Sequence, residues 1–143
     1  MNYPVPFLDY CDAIEIRLTS LRKAVLYILW QMERPLKAYE VLDNLLQTKE
    51  NAAPPTVYRV LDYFVAAGVV HKIESIQSYT LCREPKKILP QEILMVCNQC
   101  RRVQEIYDEK FGLLIQKLSQ HHYFQLNQEA IELKGLCRDC YTQ

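Results

Sequence analysis

Glycine is nearly absent from this chain: three residues in 143, beside seven prolines. So few breakers leave little room for long disordered segments. Also missing is any apolar run approaching the roughly 20 residues a membrane helix needs. The opening MNYPVPFLDYCDAIEIR has no basic segment followed by an apolar one, so it does not read as a secretory signal, and the cytoplasm is the expected location. Net charge is absent as well, with 17 basic and 17 acidic residues. Residues 1–90 hold 11 Lys/Arg against 10 Asp/Glu, and residues 91–143 hold 6 against 7. Such balance argues against a general electrostatic grip on nucleic acid, though not against a local one. No phosphate loop and no nucleophile–base arrangement stands out, so the chain does not read as an enzyme. Its length suits one domain or two small ones.

What is present is cysteine: Cys11, Cys82, Cys97, Cys100, Cys137 and Cys140. Without a secretory signal, six cysteines read as metal ligands or thiols before disulfides. Four of them form two C-x-x-C pairs, CNQC at 97–100 and CRDC at 137–140, separated by 36 residues. Each pair can turn both sulfurs to one side, and four thiolates suit zinc tetrahedrally at about 2.3 Å each. The alternative is a pair of redox dithiols. A thioredoxin-like motif follows a strand and opens a helix in a βαβ setting, and neither pair fits that well. Four cysteines leave no open position for water, so the expected zinc is structural, one per chain. It would support a core that some 50 residues hold poorly alone.

Two textures divide the chain. In TSLRKAVLYILWQM, Thr19 is an expected N-cap, and Leu21, Val25, Ile28, Leu29 and Met32 recur at helical spacing. A second helix is predicted over about 38–47, with Val41, Leu42, Leu45 and Leu46 on one face. A third is predicted over about 55–67, buried through Val57, Leu61, Phe64 and Val65 and closed by Gly68. Thr56, Tyr58, Arg59, Asp62 and Tyr63 are left outside, Tyr63 with a packing role on the wing. Two strand-like pieces follow, VVHKIES and SYTLC. Three helices and a hairpin are the order of a winged helix-turn-helix, whose third helix enters the major groove. After the proline-bounded REPKKILP, short strands flank the first C-x-x-C. Asp108 caps a helix that should turn Phe111, Leu114 and Leu118 inward. An extended segment with Phe124, Leu126, Ile131 and Leu133 leads to the second pair. Cys11 should pack in an N-terminal helix, and His121 and His122 mark a polar helix end. The fold expected is α+β: an N-terminal winged helix-turn-helix DNA-binding domain and a small C-terminal α/β domain.

Together, PPTVYRVLDYFVAAGVVHKIES, SYTLC, the first C-x-x-C and GLCRDC resemble the ferric uptake regulator family over about residues 10–141, and are most similar to its zinc uptake branch. The resemblance implies a homodimer: a DNA-binding domain over 1–82, a hinge over 83–90 and a dimerisation domain over 91–143. It implies a zinc-responsive transcriptional repressor on double-stranded operator DNA. On matching positions, Arg59 reaches a purine edge, with Tyr58, Thr56 and Tyr39 on bases or phosphates; the competing role for Arg59 is a helix charge paired with Asp62 or Glu40. Arg17, Lys23, Lys37, Lys49 and Lys72 are candidates for phosphate. The family's sensing site lies between its domains, and His71, Cys82 and Glu105 occupy three of its four positions. The fourth, a hinge histidine in the family, is Pro90 here, between Leu89 and Gln91. The H-x-H element before the first C-x-x-C is missing, and a later histidine position is Gln128. Proline binds no zinc, so a regulatory zinc here has three ligands plus water, or plus Glu92. The alternative is a DNA-binding regulator with structural zinc alone, metal-insensitive or sensing oxidants through Cys82.

Overall fold

The structure, a computed structural model, describes residues 2–142 apart from 33, 51, 84–91, 128 and 129. Two compact units are seen, Met1–Lys86 and Lys87–Gln143. Most of the expected hinge, with Pro90 and its neighbours, lies outside the described residues, as does Gln128.

The first unit holds α1 (Val5–Ile14), α2 (Ser20–Gln31), α3 (Ala38–Leu45), α4 (Pro54–Ala66), β1 (Val70–Ile73), a 3₁₀ turn (Glu74–Ile76) and β2 (Ser78–Leu81). Thr19 caps α2 by accepting from the Arg22 N–H at 3.2 Å. At α3 the Glu40 carboxylate reaches back to accept from the Lys37 N–H at 3.1 Å, satisfying one orphan donor of the first turn. Pro54 and Pro55 open α4, where their missing N–H groups cost nothing. Gly68 closes it at φ +76°: its N–H bonds the Val65 carbonyl at 3.1 Å, and the Val69 N–H bonds the Phe64 carbonyl at 3.0 Å. Those two bonds satisfy the last carbonyls in the way a left-handed glycine allows.

Phe7, Val25, Leu26, Leu36, Val41, Leu45, Val57, Leu61 and Phe64 are all but fully buried and form one core. Burying each such side chain is worth roughly 1.5–3 kcal/mol. Tyr3, Phe7, Tyr27 and Trp30 add edge-on and tilted ring contacts that seat α1 on α2. Val57, Leu61 and Phe64 are buried as expected; Val60 joins them, while Val65 is only half-buried. Beyond three helices and a hairpin, the unit carries α1 and a bridge that pins the wing to the α2–α3 connection. Leu36 and Tyr79 exchange backbone bonds there at 2.9 and 2.7 Å.

The second unit holds β3 (Glu92–Cys97), β4 (Val103–Tyr107), α5 (Glu109–His121), β5 (Ile131–Gly135) and α6 (Arg138–Tyr141). Its sheet has the order β4-β3-β5, antiparallel on one side of β3 and parallel on the other. Asp108 caps α5 by accepting from the Phe111 N–H at 2.9 Å. Of the expected inward face only Phe111 is half-buried: Leu114 and Leu118 are 63% and 54% exposed, and Leu113 is exposed too. Among the described residues of this unit the buried hydrophobic side chains, Ile93, Leu94, Val96 and Cys97, all lie on β3, and the leucines of α5 are not among them.

Candidate metal centre and nucleic-acid interface

The sheet of the second unit builds the cysteine cluster. β3 ends on Cys97, and its parallel pairing with β5 sets Cys97 opposite Gly135, two residues short of Cys137. At the first pair the chain turns back through Arg101, at φ +64°, with the Cys97 N–H bonded to the Arg102 carbonyl at 2.9 Å. The Asn98 N–H bonds the Gly135 carbonyl at 2.8 Å and ties the two turns together. One sulfur atom from each of Cys97, Cys100, Cys137 and Cys140 then lies within 4.8 Å of the others. The Cys100 and Cys137 sulfurs are 3.6 Å apart. Four sulfurs on a zinc ion at about 2.3 Å stand about 3.8 Å from one another, so the set fits that ion. No disulfide joins them.

The surroundings split the four thiols into two kinds. Backbone N–H groups, first that of Cys100 and then that of Cys137, hold the Cys97 thiol down at about 6. The Cys140 N–H likewise lowers Cys137. Loss of solvent and the neighbouring sulfurs push Cys140 up to about 12. Cys100 is drawn down by the Arg102 N–H but ends raised, because desolvation and its bonds to Cys137 and Cys97 outweigh that pull. Four thiols so close cannot all ionise without a cation among them. In one respect the second pair does look like a redox motif, following β5 and opening α6. Its convergence with the first pair outweighs that likeness.

On the first unit, α4 presents Tyr58, 51% exposed, and Arg59, also exposed, with Thr56 half-buried beside them; Tyr39 on α3 is 62% exposed. The helix-charge role for Arg59 requires a carboxylate. Glu40 is taken by Arg34 at 2.7 Å, and among the described residues neither Glu40 nor Asp62 bonds Arg59. Tyr63 is half-buried on α4 and packs against the core. Its ring lies under the Arg22 guanidinium of α2, 3.7 Å from the centroid, and Arg22 also donates to the Arg17 carbonyl at 3.2 Å. Of the phosphate candidates, Lys72 faces Glu74 at 3.8 Å and Lys23 sits over the Tyr3 ring. Arg17 and Lys49 are exposed.

The remaining site residues fall into two pairs, one in each unit. In the first, His71 lies across from Thr80 in the wing, and a ring nitrogen of it is within 4.8 Å of the Cys82 sulfur. Cys82 is held by its own N–H on the Val69 carbonyl at 2.8 Å, and its carbonyl accepts from the Tyr10 hydroxyl at 2.8 Å. In the second unit the Glu92 and Glu105 carboxylates lie within 4.8 Å, both on the Tyr107 hydroxyl at 2.9 and 3.2 Å. Glu92 pairs with Tyr107 and Leu94 with Glu105 across β3 and β4, which puts both acids on one sheet face. Sequence reasoning missed Tyr107 and Tyr10; the alternation of β4 carried a signal for the former, and nothing local marked the latter. His121 and His122 stack edge-on at the exposed end of α5, with no third ligand among the described residues.

Comparison with known proteins agrees with this construction. The pattern of the Ferric uptake regulator family matches residues 13–134. The chain is 35% identical over 130 residues to the zinc uptake regulation protein of Escherichia coli (strain K12), covering 91% of this chain and 76% of that one. It is 31% identical over 128 residues to the ferric uptake regulation protein of Legionella pneumophila, covering 87% and 91%. Among solved structures, holo XcZur superposes with a TM-score of 0.84 at 30% identity, covering 98% of this chain and all of that one. A zinc uptake regulator complexed with zinc and DNA superposes at 0.82 with 33% identity, covering 96% and 92%. With its winged unit, its four-cysteine centre and a family pattern that spans most of its length, this chain belongs to the ferric uptake regulator family.

Proposed function

We propose that this chain is a zinc-responsive transcriptional repressor that binds double-stranded operator DNA as a homodimer in the cytoplasm, a regulator and not an enzyme. One observation carries the reading: the exposed face of α4 offers Arg59 with no acidic partner among the described residues, at the head of a winged helix. A guanidinium so placed donates two bonds to guanine O6 and N7, worth roughly 1–3 kcal/mol of discrimination. Tyr58, Thr56 and Tyr39 flank it. The relatives' names support zinc as the signal, one being a zinc uptake regulation protein and another a structure with zinc and DNA.

Two metal roles follow. Cys97, Cys100, Cys137 and Cys140 hold a structural zinc, which ties the end of the chain to its own sheet. His71, Cys82 and Glu105 form the regulatory set, with Glu92 as the further donor in place of the family's hinge histidine. Sulfur and imidazole favour zinc over harder ions, while the second carboxylate shifts that preference toward oxygen-seeking metals. Ligation by residues of both units would restrict the DNA-binding units to the separation of operator half-sites, a shift of population toward the binding form. The exposed leucines of α5, with Met95, Leu133 and Leu136, supply apolar surface for a second copy.

The test measures zinc per chain alongside operator binding across free zinc. Two zincs, with tight binding only when the second is present, is the expected result, and H71A or E105Q should abolish the zinc dependence while leaving one zinc bound. One zinc with zinc-independent binding sinks the regulatory part and leaves a repressor with structural zinc alone.

A further inference from the structure

The cysteine centre is open on one side. Cys97 is buried, whereas Cys100 is exposed and Cys137 and Cys140 are half-buried. Four thiolates around one zinc ion leave about two negative charges in excess, and three of the four cysteines are at least partly exposed to water. Two charged side chains stand at that opening. Arg102, two residues beyond Cys100, donates through a guanidinium nitrogen to an oxygen of Asp139 at 2.9 Å. Asp139 is itself inside the second C-x-x-C. The bond therefore closes a loop of 37 residues at the point where the two cysteine turns meet.

Backbone geometry makes Arg102 more than a surface charge. Its carbonyl accepts the Cys97 N–H that shapes the first turn, and the left-handed Arg101 before it sets the direction in which the Arg102 side chain leaves. Asp139 is the first-turn acid of α6, whose N-cap is Cys137. The carboxylate is thus favourably placed at a helix start and accepts from the Arg102 guanidinium across the two turns. The Arg102 charge also falls within electrostatic reach of Cys137 and Cys100, two of the sulfurs on the open side. Aspartate alone there would repel the thiolates. Paired with Arg102, it becomes the anchor of a compensating cation.

We propose that Arg102 and Asp139 form a clasp across the two C-x-x-C turns, which offsets the charge of the zinc–thiolate centre and slows its opening. Both are positioning residues, since neither is a ligand. The inference rests on the structural zinc and not on the regulatory role; DNA binding does not enter its test.

The experiment follows zinc transfer from the full-length native protein to a chromogenic chelator. R102A and D139N should each quicken release by about two- to fivefold, the range of an exposed ion pair. The double variant should release no faster than the quicker single, because the two residues act as one unit. Raising salt from 0.1 M to 1 M shortens screening from about 10 Å to about 3 Å; it should quicken release from the native protein and leave R102A nearly unchanged. Native rates in both single variants, additive effects in the double, or salt-independent release from the native chain each overturn the clasp. The last measurement needs no variant, so it decides the matter even if R102A purifies without metal.

Discussion

At the scale of single residues, the proposed DNA contact and the thiols each give a prediction. Arg59→Ala should lower operator affinity by about 1–3 kcal/mol and relax preference at one base pair. Gel-shift titrations on matched and substituted operators measure both, and unchanged affinity with unchanged preference would remove Arg59 from its role. The cysteines predict an acid limb. Cys97 is held at about 6, below the ordinary thiol value of 9.0, so its stabilising thiolate is fully present above pH 9.0 and lost as the pH falls through about 6. Cys140 runs the other way: its proton, held up to about 12, must leave when zinc binds. Because protons compete with zinc for the thiolates, zinc retention during dialysis against a weak chelator should be lower below pH about 6 than above it. Equal retention on both sides of that point would contradict the linkage. The four cysteines were legible beforehand, because a C-x-x-C spacing declares its chemistry locally. Tyr10 was not, since it acts on a group 72 residues away that only the fold brings near; Tyr107 was marked only by the alternation that sets it beside Glu105.

At the scale of elements, caps and breakers were readable to within a few residues: Thr19, Asp108, Gly68 and the Pro54–Pro55 pair all stand where local rules put them. The facing of α5 was not. A helical repeat of leucines reveals an apolar stripe but not which body covers it, and here no part of the described unit does. Replacing Cys137 with Ser tests how far the short elements depend on metal. One zinc per chain should be lost, with the cooperative melt of the second unit, because structural zinc in small domains contributes on the order of 10 kcal/mol. Elemental analysis and circular dichroism report the two losses. A variant that keeps its zinc and melts as before would show that the strands, not the sulfurs, hold the unit together.

For the whole molecule, assembly is the outstanding property. Leu118→Glu places a charge amid the exposed leucines of α5 and should raise the dimer dissociation constant at least about tenfold, given the roughly 1.5–3 kcal/mol that burying one leucine contributes. Sedimentation equilibrium measures it, and an unaltered dimer would place the interface elsewhere. Division into two units was legible because the texture of the sequence changes near the proline-bounded segment; the strand order was not, because β5 pairs in parallel with β3 across 38 residues, from Cys97 to Gly135. That pairing has a consequence for quality control during folding. A two-residue slip of β5 preserves which side chains face which side, so the apolar pattern alone does not reject it. It would nonetheless displace Cys137 and Cys140 by about 6–7 Å, too far for four sulfurs to share one ion. Metal capture thus proofreads the register: only a correctly aligned sheet can keep its zinc.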